Sequence, residues 1–428
     1  MSEAIVETNQ QTSGASAQAR SNPYDLDLAS IDVADASLYE QDCYREFFER
    51  LRKEDPVHYC VSPDFGPFWS VTRFKDIMYV DTHHDLFSSE PAILLGDQPE
   101  DFQFDSFITM DPPKHDSHRA AVTGVVAPRN LAELESTIRT RAGAILDSLP
   151  VGETFDWVDR VSIELTTQML ATIFDFPFED RKLLTHWSDV AIATPEMTGS
   201  DSVTEEYRRE QMGECLEYFG RLWRERAAKE PGYDLLSMLA HNEDTKDMIN
   251  NPMEFLGTLI LLIIGGNDTT RNSISGGVVA LNENPGEYDK LRANPGLITN
   301  MVSEIIRYQT PLSHMRRTAT CDTTLAGKQI KKGDKVVMWY ASGNRDPDAI
   351  EAPDEFRIDR AKARQHVAFG FGIHRCMGNR LAEMQLRVLW EEIMARFNEV
   401  RLVGEPVRLR SNFVRGFTQL PVVLVPKA

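Results

Sequence analysis

Hydrophobic residues recur at helical spacing through most of this 428-residue chain. The longest such run begins at Asn251, where the order Asn-Pro-Met-Glu is typical of a helix start, and it meets no strong breaker before Pro285. We expect Asn251 as the N-cap and Glu254 as the acid of a capping box. The run predicts a helix of about 30 residues, roughly 45–50 Å long, which must cross the middle of the molecule.

Runs with the alternation typical of strands lie on both sides of this helix. They fall at residues 57–61 and 68–72, and again near residues 414–425. Residues 323–330 and 335–340, joined through a Lys-Gly-Asp turn, predict a strand–turn–strand unit. No regular alternation of strand and helix occurs, which argues against a doubly wound fold. The pattern predicts a mainly α protein with small β-sheets.

Composition narrows the function classes. A net charge of −20 argues against nucleic-acid binding. Five widely spaced cysteines with no Cys-x-x-Cys argue against a disulfide framework and a structural zinc site, and favour a cytoplasmic location. No apolar stretch approaches the roughly 20 residues of an integral membrane span. Residues 1–21, rich in Ser, Gln, Ala and Thr, predict a disordered tail before a single domain over residues 22–428.

A glycine-rich loop around Cys376 is the segment most informative about chemistry. It reads Ala-Phe-Gly-Phe-Gly-Ile-His-Arg-Cys-Met-Gly-Asn over residues 368–379. Glycines such as Gly370 permit close backbone approach, and a helix begins after Gly378. A thiolate at that point would face the free N–H groups of a helix N-terminus, which stabilise an anion. Phe369 could lie against a flat cofactor. The alternative is a glycine-rich loop holding one buried cysteine.

Paired glycines interrupt the middle of the long helix, in the run Gly-Gly-Asn-Asp-Thr-Thr at residues 265–270. Each glycine costs about 1 kcal/mol relative to alanine in a helix, which indicates a need for space or a local kink. An acid beside a hydroxyl, Asp268 and Thr269, could relay protons to a buried site. A tolerated glycine pair beside a polar stripe would give the same pattern.

Taken together, these segments resemble the cytochrome P450 family. The matching motifs are Phe-x-x-Gly-x-x-x-Cys-x-Gly at residues 369–378, the glycine–acid–alcohol run, and a Glu-x-x-Arg pair at Glu304 and Arg307. They occur in the family's order, and the resemblance covers about residues 24–427. It implies the P450 fold, with the long helix crossing over haem b (iron protoporphyrin IX). It also implies Cys376 as the axial ligand of the iron, since thiolate ligation is a general property of this family.

The resemblance also implies roles for other residues. It assigns Thr269 to dioxygen binding and Asp268 to proton delivery from solvent. It makes Glu304, Arg307 and Arg360 a buried structural network. The residues that it implies for binding the haem and its propionates are His115, Arg119, Gly265, Arg317, Phe369, Gly370, His374, Cys376 and Gly378.

The propionate arginine is left open between two neighbours. Arg316 adjoins Arg317 and could exchange roles with it, although the family's Arg-x-Ala pattern favours Arg317. The implied reaction inserts one oxygen atom of O2 into an unactivated C–H bond. Because the chain has no flavin or dinucleotide motif, we expect electrons from a ferredoxin and an NAD(P)H-dependent ferredoxin reductase. Candidates for the docking face are Arg375, Arg380 and Arg387.

Apolar side chains are expected to contact an apolar small-molecule substrate. The candidates are Leu261, Ile264, Leu312 and Val414. Residues 108–115 and 312–319 are similar to those of bacterial medium-chain alkane terminal hydroxylases, which implies ω-hydroxylation of alkanes, fatty acids or related substrates. The alternatives are a terpene or steroid hydroxylase of the same family, a peroxide-driven peroxygenase and a non-catalytic haem binder. The Asp268–Thr269 pair argues against the last two.

Overall fold

The computed structural model describes residues 16–198 and 203–427. Of the tail expected over residues 1–21, residues 1–15 lie outside the described residues. Residues 16–21 contact the rest of the protein. The Gln18 side chain donates to the Asp32 carbonyl at 2.7 Å and accepts from the Asp32 backbone N–H at 2.9 Å. Part of the segment predicted as a tail therefore packs against the residues that follow it.

Helices make up most of the described chain, as the hydrophobic pattern predicts. They are α1 (Ala36–Glu40), α2 (Tyr44–Glu54), α3 (Phe74–Thr82), α4 (Lys114–Thr123), α5 (Pro128–Asp147), α6 (Glu164–Phe174), α7 (Lys182–Ile192), α8 (Pro195–Thr198), α9 (Glu205–Ala227), α10 (Leu235–His241), α11 (Pro252–Glu283), α12 (Pro285–Ala293), α13 (Ile298–Gln309), α14 (Tyr340–Gly343) and α15 (Asn379–Arg396). In the described residues, no helix is long and apolar enough to span a membrane.

The strands form small sheets, which confirms the predicted fold class. They are β1 (Val57–Ser62), β2 (Gly66–Val71), β3 (Phe87–Ser88), β4 (Phe155–Asp156), β5 (His314–Ala319), β6 (Thr323–Leu325), β7 (Lys328–Ile330), β8 (Lys335–Trp339), β9 (Phe397–Leu402), β10 (Val407–Arg408), β11 (Phe417–Gln419) and β12 (Pro421–Pro426). The largest sheet has the order β1-β2-β8-β5-β3, and a second has the order β4-β12-β9. Two hairpins, β6-β7 and β10-β11, stand apart.

Helix α11 is the long helix predicted from the sequence, with 32 residues, and it runs through the core. It packs against α6, α7, α9, α13 and α15. Gly277 permits the close approach of α13, because a Cβ there would lie 2.8 Å from Ile305 Cδ1. The predicted capping box is wrong: the Asn251 side chain donates to Glu254 Oε2 at 3.0 Å and caps no backbone N–H.

The predicted strand–turn–strand unit is also wrong in its pairing. Residues 323–330 form a hairpin of their own, because Ala326 and Gly327 adopt positive φ angles of 47° and 84° and end β6. Strand β8 pairs instead with β5 and, in parallel, with β2, where Trp69 lies opposite Val336. This pairing brings β5 next to the cysteine loop.

A buried ionic network joins α13 to the segment that precedes the cysteine loop. Arg307 Nε donates to Glu304 Oε2 at 2.8 Å, and Arg360 Nε donates to the same oxygen at 3.0 Å. Both Glu304 and Arg307 are fully buried. Arg307 Nη2 also donates to Glu304 Oε1 at 2.8 Å, and backbone carbonyls accept further Arg307 hydrogen bonds, including that of Pro353 at 2.7 Å. The three side chains are therefore paired with one another and with backbone carbonyls.

Candidate active site

Helix α11 and the cysteine loop line one mostly apolar cavity. Helix α11 contributes Leu261, Ile264, Gly265 and Thr269, and the loop contributes Cys376. Gly265 faces open space, because a Cβ at that position would meet nothing within 4 Å. The two motifs that the sequence analysis treats separately therefore meet at a single site.

The cysteine loop is held by its own backbone and by α3. The Cys376 N–H donates to the Phe369 carbonyl at 2.8 Å. Gly370 and Gly372 adopt positive φ angles of 63° and 65°. Gly372 also permits a close backbone contact, since a Cβ there would lie 2.0 Å from the Asp81 carbonyl oxygen. Glycine at this position is therefore required both by conformation and by space.

The Cys376 side chain opens onto the cavity inside the protein, just before α15 begins at Asn379. Burial in the protein raises its pKa, whereas the Gly378 backbone N–H and the Arg119 guanidinium act in the opposite direction. These are the helix-terminal and cationic groups that stabilise a thiolate. Across the described ranges, no group of three His, Cys, Asp or Glu side chains could hold a metal ion.

Cationic and imidazole groups lie beside the thiol. Arg119, Arg317 and His374 line the cavity with Cys376. His115 packs edge-on against His374, with ring centroids 4.5 Å apart. Both His374 nitrogens and His115 Nε2 are buried and find no hydrogen-bond partner within the described chain. Because buried polar atoms are rarely left unpaired, these groups fit the carboxylates of a bound cofactor.

The buried position also explains the protonation of His374. Burial, together with the nearby Arg317 and His115, lowers the pKa of His374 to about 2. The ring is therefore neutral and can donate one hydrogen bond and accept another.

Strand alternation separates the two neighbouring arginines. Arg317 lines the cavity, and its Nη2 donates to Asp81 Oδ1 at 2.9 Å. Arg316 lies on the other face of β5, where its Nη1 donates to Asp97 Oδ1 at 2.6 Å. Arg317 alone of the pair is therefore in position to meet a group in the cavity.

The acid and the alcohol of α11 lie on different sides of the helix. Thr269 lines the cavity, and its Oγ1 donates to the Gly265 carbonyl at 3.0 Å. Asp268 is fully buried and accepts from Ser188 on α7. The alcohol therefore faces the candidate reaction site, and the acid faces the protein interior.

Ionic contacts connect Asp268 to the protein surface. Its Oδ1 lies 2.5 Å from Arg271 Nη2, which also contacts Asp189 Oδ1 at 2.6 Å. The Asp189 side chain is 47% exposed. Burial raises the pKa of Asp268, and the Arg271 guanidinium opposes that rise. A chain of polar groups thus runs from solvent to the residue next to Thr269.

Three of the four predicted substrate-contact residues line the cavity, namely Leu261, Ile264 and Leu312. Val414 does not: it is fully buried and pairs through its backbone with Leu312, so that Phe413 lines the cavity in its place. Lining residues that sequence reasoning missed include Phe104, Phe107, Ile173, Ile192, Met197 and Met315. Met315 lies on β5, within the family-similar residues 312–319, whereas the others come from loops, helix ends and short helices that carry no local motif.

Comparisons with known proteins agree with this geometry. Residues 145–421 match the family model described as Cytochrome P450. Linalool 8-monooxygenase from Pseudomonas putida is 38% identical over 92% of this chain and 99% of that protein. Methyl-branched lipid omega-hydroxylase from Mycobacterium bovis is 30% identical, over 94% and 96%. The structure of cytochrome P450-153 from Novosphingobium aromaticivorans superposes with a TM-score of 0.85 at 45% identity, and covers 94% of this chain and 100% of that one. Matches of this length and identity mean that the chain belongs to the cytochrome P450 family of haem b monooxygenases.

Proposed function

We propose that this P450 hydroxylates the terminal carbon of medium-chain alkanes or related aliphatic substrates, with electrons from a ferredoxin and its NAD(P)H-dependent reductase. The apolar cavity beside Cys376 is the observation that carries the proposal. One of the similar proteins supports it, because it is named for the omega-hydroxylation of methyl-branched lipids. A primary carbon is thus the proposed target.

The proposed haem ligands follow from the cavity. Cys376 would ligate the iron, and His115, Arg119, Arg317 and His374 would bind the propionates. The buried, unpartnered nitrogens of His115 and His374 support this assignment, as does the position of Arg119 and Arg317 in the cavity wall. When bound, the haem supplies the reductive activation of dioxygen, and the protein supplies orientation, electrostatics and protons.

Asp268 and Thr269 are proposed to supply those protons. The Thr269 hydroxyl, on the cavity wall, would donate a hydrogen bond toward the reacting oxygen and give up its bond to the Gly265 carbonyl. Asp268 would receive protons from the surface side, where Arg271 and Asp189 meet it. The raised pKa of Asp268 supports this role, since an acid in a proton relay must be protonated part of the time.

The cavity lining favours an uncharged substrate over a carboxylate. Among the described residues, the lysine or arginine side chains that line it are Arg119 and Arg317. Both are proposed to bind the haem propionates. Two of the polar side chains are already paired: Gln98 exchanges hydrogen bonds with the Phe104 backbone, and Thr109 Oγ1 donates to the Ser106 carbonyl. Burying an unpaired carboxylate costs several kcal/mol, so a neutral chain end is expected in the cavity.

A second candidate function is terpene hydroxylation. The specific observation in its favour is the 38% identity to linalool 8-monooxygenase, which covers nearly all of both chains. An apolar cavity accommodates either class, so product analysis must distinguish them.

The test is turnover of octane, octanoate and linalool by the haem-loaded enzyme with a ferredoxin and reductase. We expect 1-octanol as the main product from octane, and a smaller spin-state change on titration with octanoate than with octane. Mainly subterminal alcohols would overturn the terminal assignment. Faster turnover of linalool than of octane would favour the alternative.

A pair of neighbouring substitutions sharpens this test. Leu312→Ala removes a side chain that lines the cavity, so the share of 1-octanol should fall as the chain end gains freedom. Val414→Ala is the control, because Val414 is fully buried and lies opposite Leu312 but does not reach the cavity. Equal changes in both variants would show that general loosening, and not the cavity wall, sets the product.

A further inference from the structure

Asp81, near the C-terminal end of α3, is a buried carboxylate in contact with the haem-side machinery. Its side chain is only 1% exposed. Oδ1 accepts from Arg317 at 2.9 Å, and Oδ2 accepts from the Tyr340 hydroxyl at 3.0 Å and the Phe371 backbone N–H at 2.9 Å. These donors come from β5, α14 and the cysteine loop. One carboxylate therefore joins three segments that are far apart in sequence.

The contact with the cysteine loop has two parts. The Asp81 side chain binds the Phe371 N–H, and the Asp81 carbonyl lies where a Cβ of Gly372 would otherwise stand. Gly370 also approaches, since a Cβ there would lie 3.5 Å from Asp81 Oδ2. The loop is thus fixed against α3 five residues before the thiol ligand.

The contact with Arg317 concerns charge as well as geometry. Arg317 has five N–H donors, of which Asp81 and the Arg316 carbonyl take two at 2.9 Å each. Within the described residues Arg317 donates no other side-chain hydrogen bond, and it lines the cavity. A buried guanidinium without a counter-charge is strongly destabilising, so Asp81 allows Arg317 to stand in the wall before any propionate is present.

We propose that Asp81 is a positioning residue for the haem. Its carboxylate holds the Arg317 guanidinium, which faces a propionate, and the cysteine loop, which carries the thiolate, at a fixed separation. Its negative charge offsets that of Arg317 near the haem. The proposal rests on the family's haem and is independent of which substrate the enzyme oxidises.

The test uses the haem-loaded enzyme without substrate. Asp81→Asn keeps the shape and one acceptor but removes the charge. We expect a higher reduction potential, because a negative charge near the haem disfavours electron uptake. Haem transfer to excess apomyoglobin should become about tenfold faster, since a hydrogen bond to a charged group contributes roughly that factor. Asp76→Asn, a buried acid on the same helix, is the control and should leave both quantities unchanged.

A second set of variants separates positioning from simple stability. Arg317→Gln should lower the reduction potential, and the double variant with Asp81→Asn should return it toward the wild-type value, because the two charges are removed together. If Asp81→Asn does not fold, this double variant, compared with Arg317→Gln, carries the test. The proposal is overturned if Asp81→Asn lowers the melting temperature but keeps the wild-type potential and haem-transfer rate, or if the double variant shows no compensation.

Discussion

Side chains of β5 alternate between two environments, the cavity on one face of the strand and the protein interior on the other. Arg317 faces the cavity, whereas His314 and Arg316 face the opposite side, where His314 packs against Trp339 at a ring distance of 4.7 Å. His314 Nδ1 lies 3.1 Å from the Asn412 carbonyl, and its other nitrogen has no partner among the described residues. Burial lowers the pKa of His314 to about 4. The strand therefore buries a histidine that the fold keeps neutral.

This burial predicts acid sensitivity. Unfolded His314 takes up a proton near pH 6.5, whereas the folded side chain does so only near pH 4. The stability contributed by the neutral form is therefore complete above pH 6.5 and is lost as the pH falls toward 4, up to about 3 kcal/mol. His314→Phe should reduce the difference in urea midpoint between pH 7.5 and 4.5. His83→Phe, partly exposed at the end of α3, should retain the full wild-type difference, and equal pH curves for wild type and His314→Phe would refute the assignment.

Residue-level sequence reasoning found side chains that belong to local motifs and missed those defined by distant contacts. The loop glycines, Cys376 and Thr269 carry a local pattern, and the structure places them around one cavity. Asp81 carries none, because its partners lie 236, 259 and 290 residues away. Strand period alone could have separated Arg316 from Arg317, once the face of one neighbour was known.

For helices and strands, the sequence predicts where an element begins and ends better than it predicts which other elements it pairs with. The bounds of α11 follow from Pro252 and the Asn284-Pro285 pair, since proline at a helix start and after a helix end acts locally. The pairing of β8 does not follow from local sequence, because its parallel neighbour β2 lies more than 260 residues earlier in the chain. Val414 was misplaced for the same reason: its segment is irregular, and its contact with Leu312 determines which neighbour faces the cavity.

The network that joins α13 to the later loop gives a stability prediction. Glu304→Gln would leave Arg307 and Arg360 buried with no carboxylate between them, at a cost of roughly 3–5 kcal/mol. We expect a lower melting temperature and a smaller yield of haem-loaded protein. The control is Glu351→Gln, whose side chain is 88% exposed and lies 3.6 Å from Arg357. A melting temperature equal to that of wild type in Glu304→Gln would show that the network contributes no net stability.

Over the whole molecule, the distribution of charge bears on electron supply. The protein carries a net charge of −20, yet Arg375 and Arg380 are exposed beside the loop that holds Cys376. Arg387, the third docking candidate, lies 2.8 Å from both Glu135 and Glu391. Its positive charge is therefore largely neutralised by these two carboxylates. The predicted docking face reduces to the two arginines nearest the thiolate.

The net negative charge of the protein would repel an acidic ferredoxin, whereas Arg375 and Arg380 would attract it. Its association should therefore depend on these two arginines. Arg375→Glu and Arg380→Glu should each slow the first reduction by ferredoxin in stopped-flow measurements, most strongly at low salt, because screening weakens exposed charges. Reduction by dithionite, which needs no docking, should keep its wild-type rate. Arg387→Glu makes the same change of charge, so it is the matched control and should alter ferredoxin reduction less than either. If it slows reduction as much as Arg375→Glu does, the electron donor docks further along α15, near Arg387, and not beside the cysteine loop.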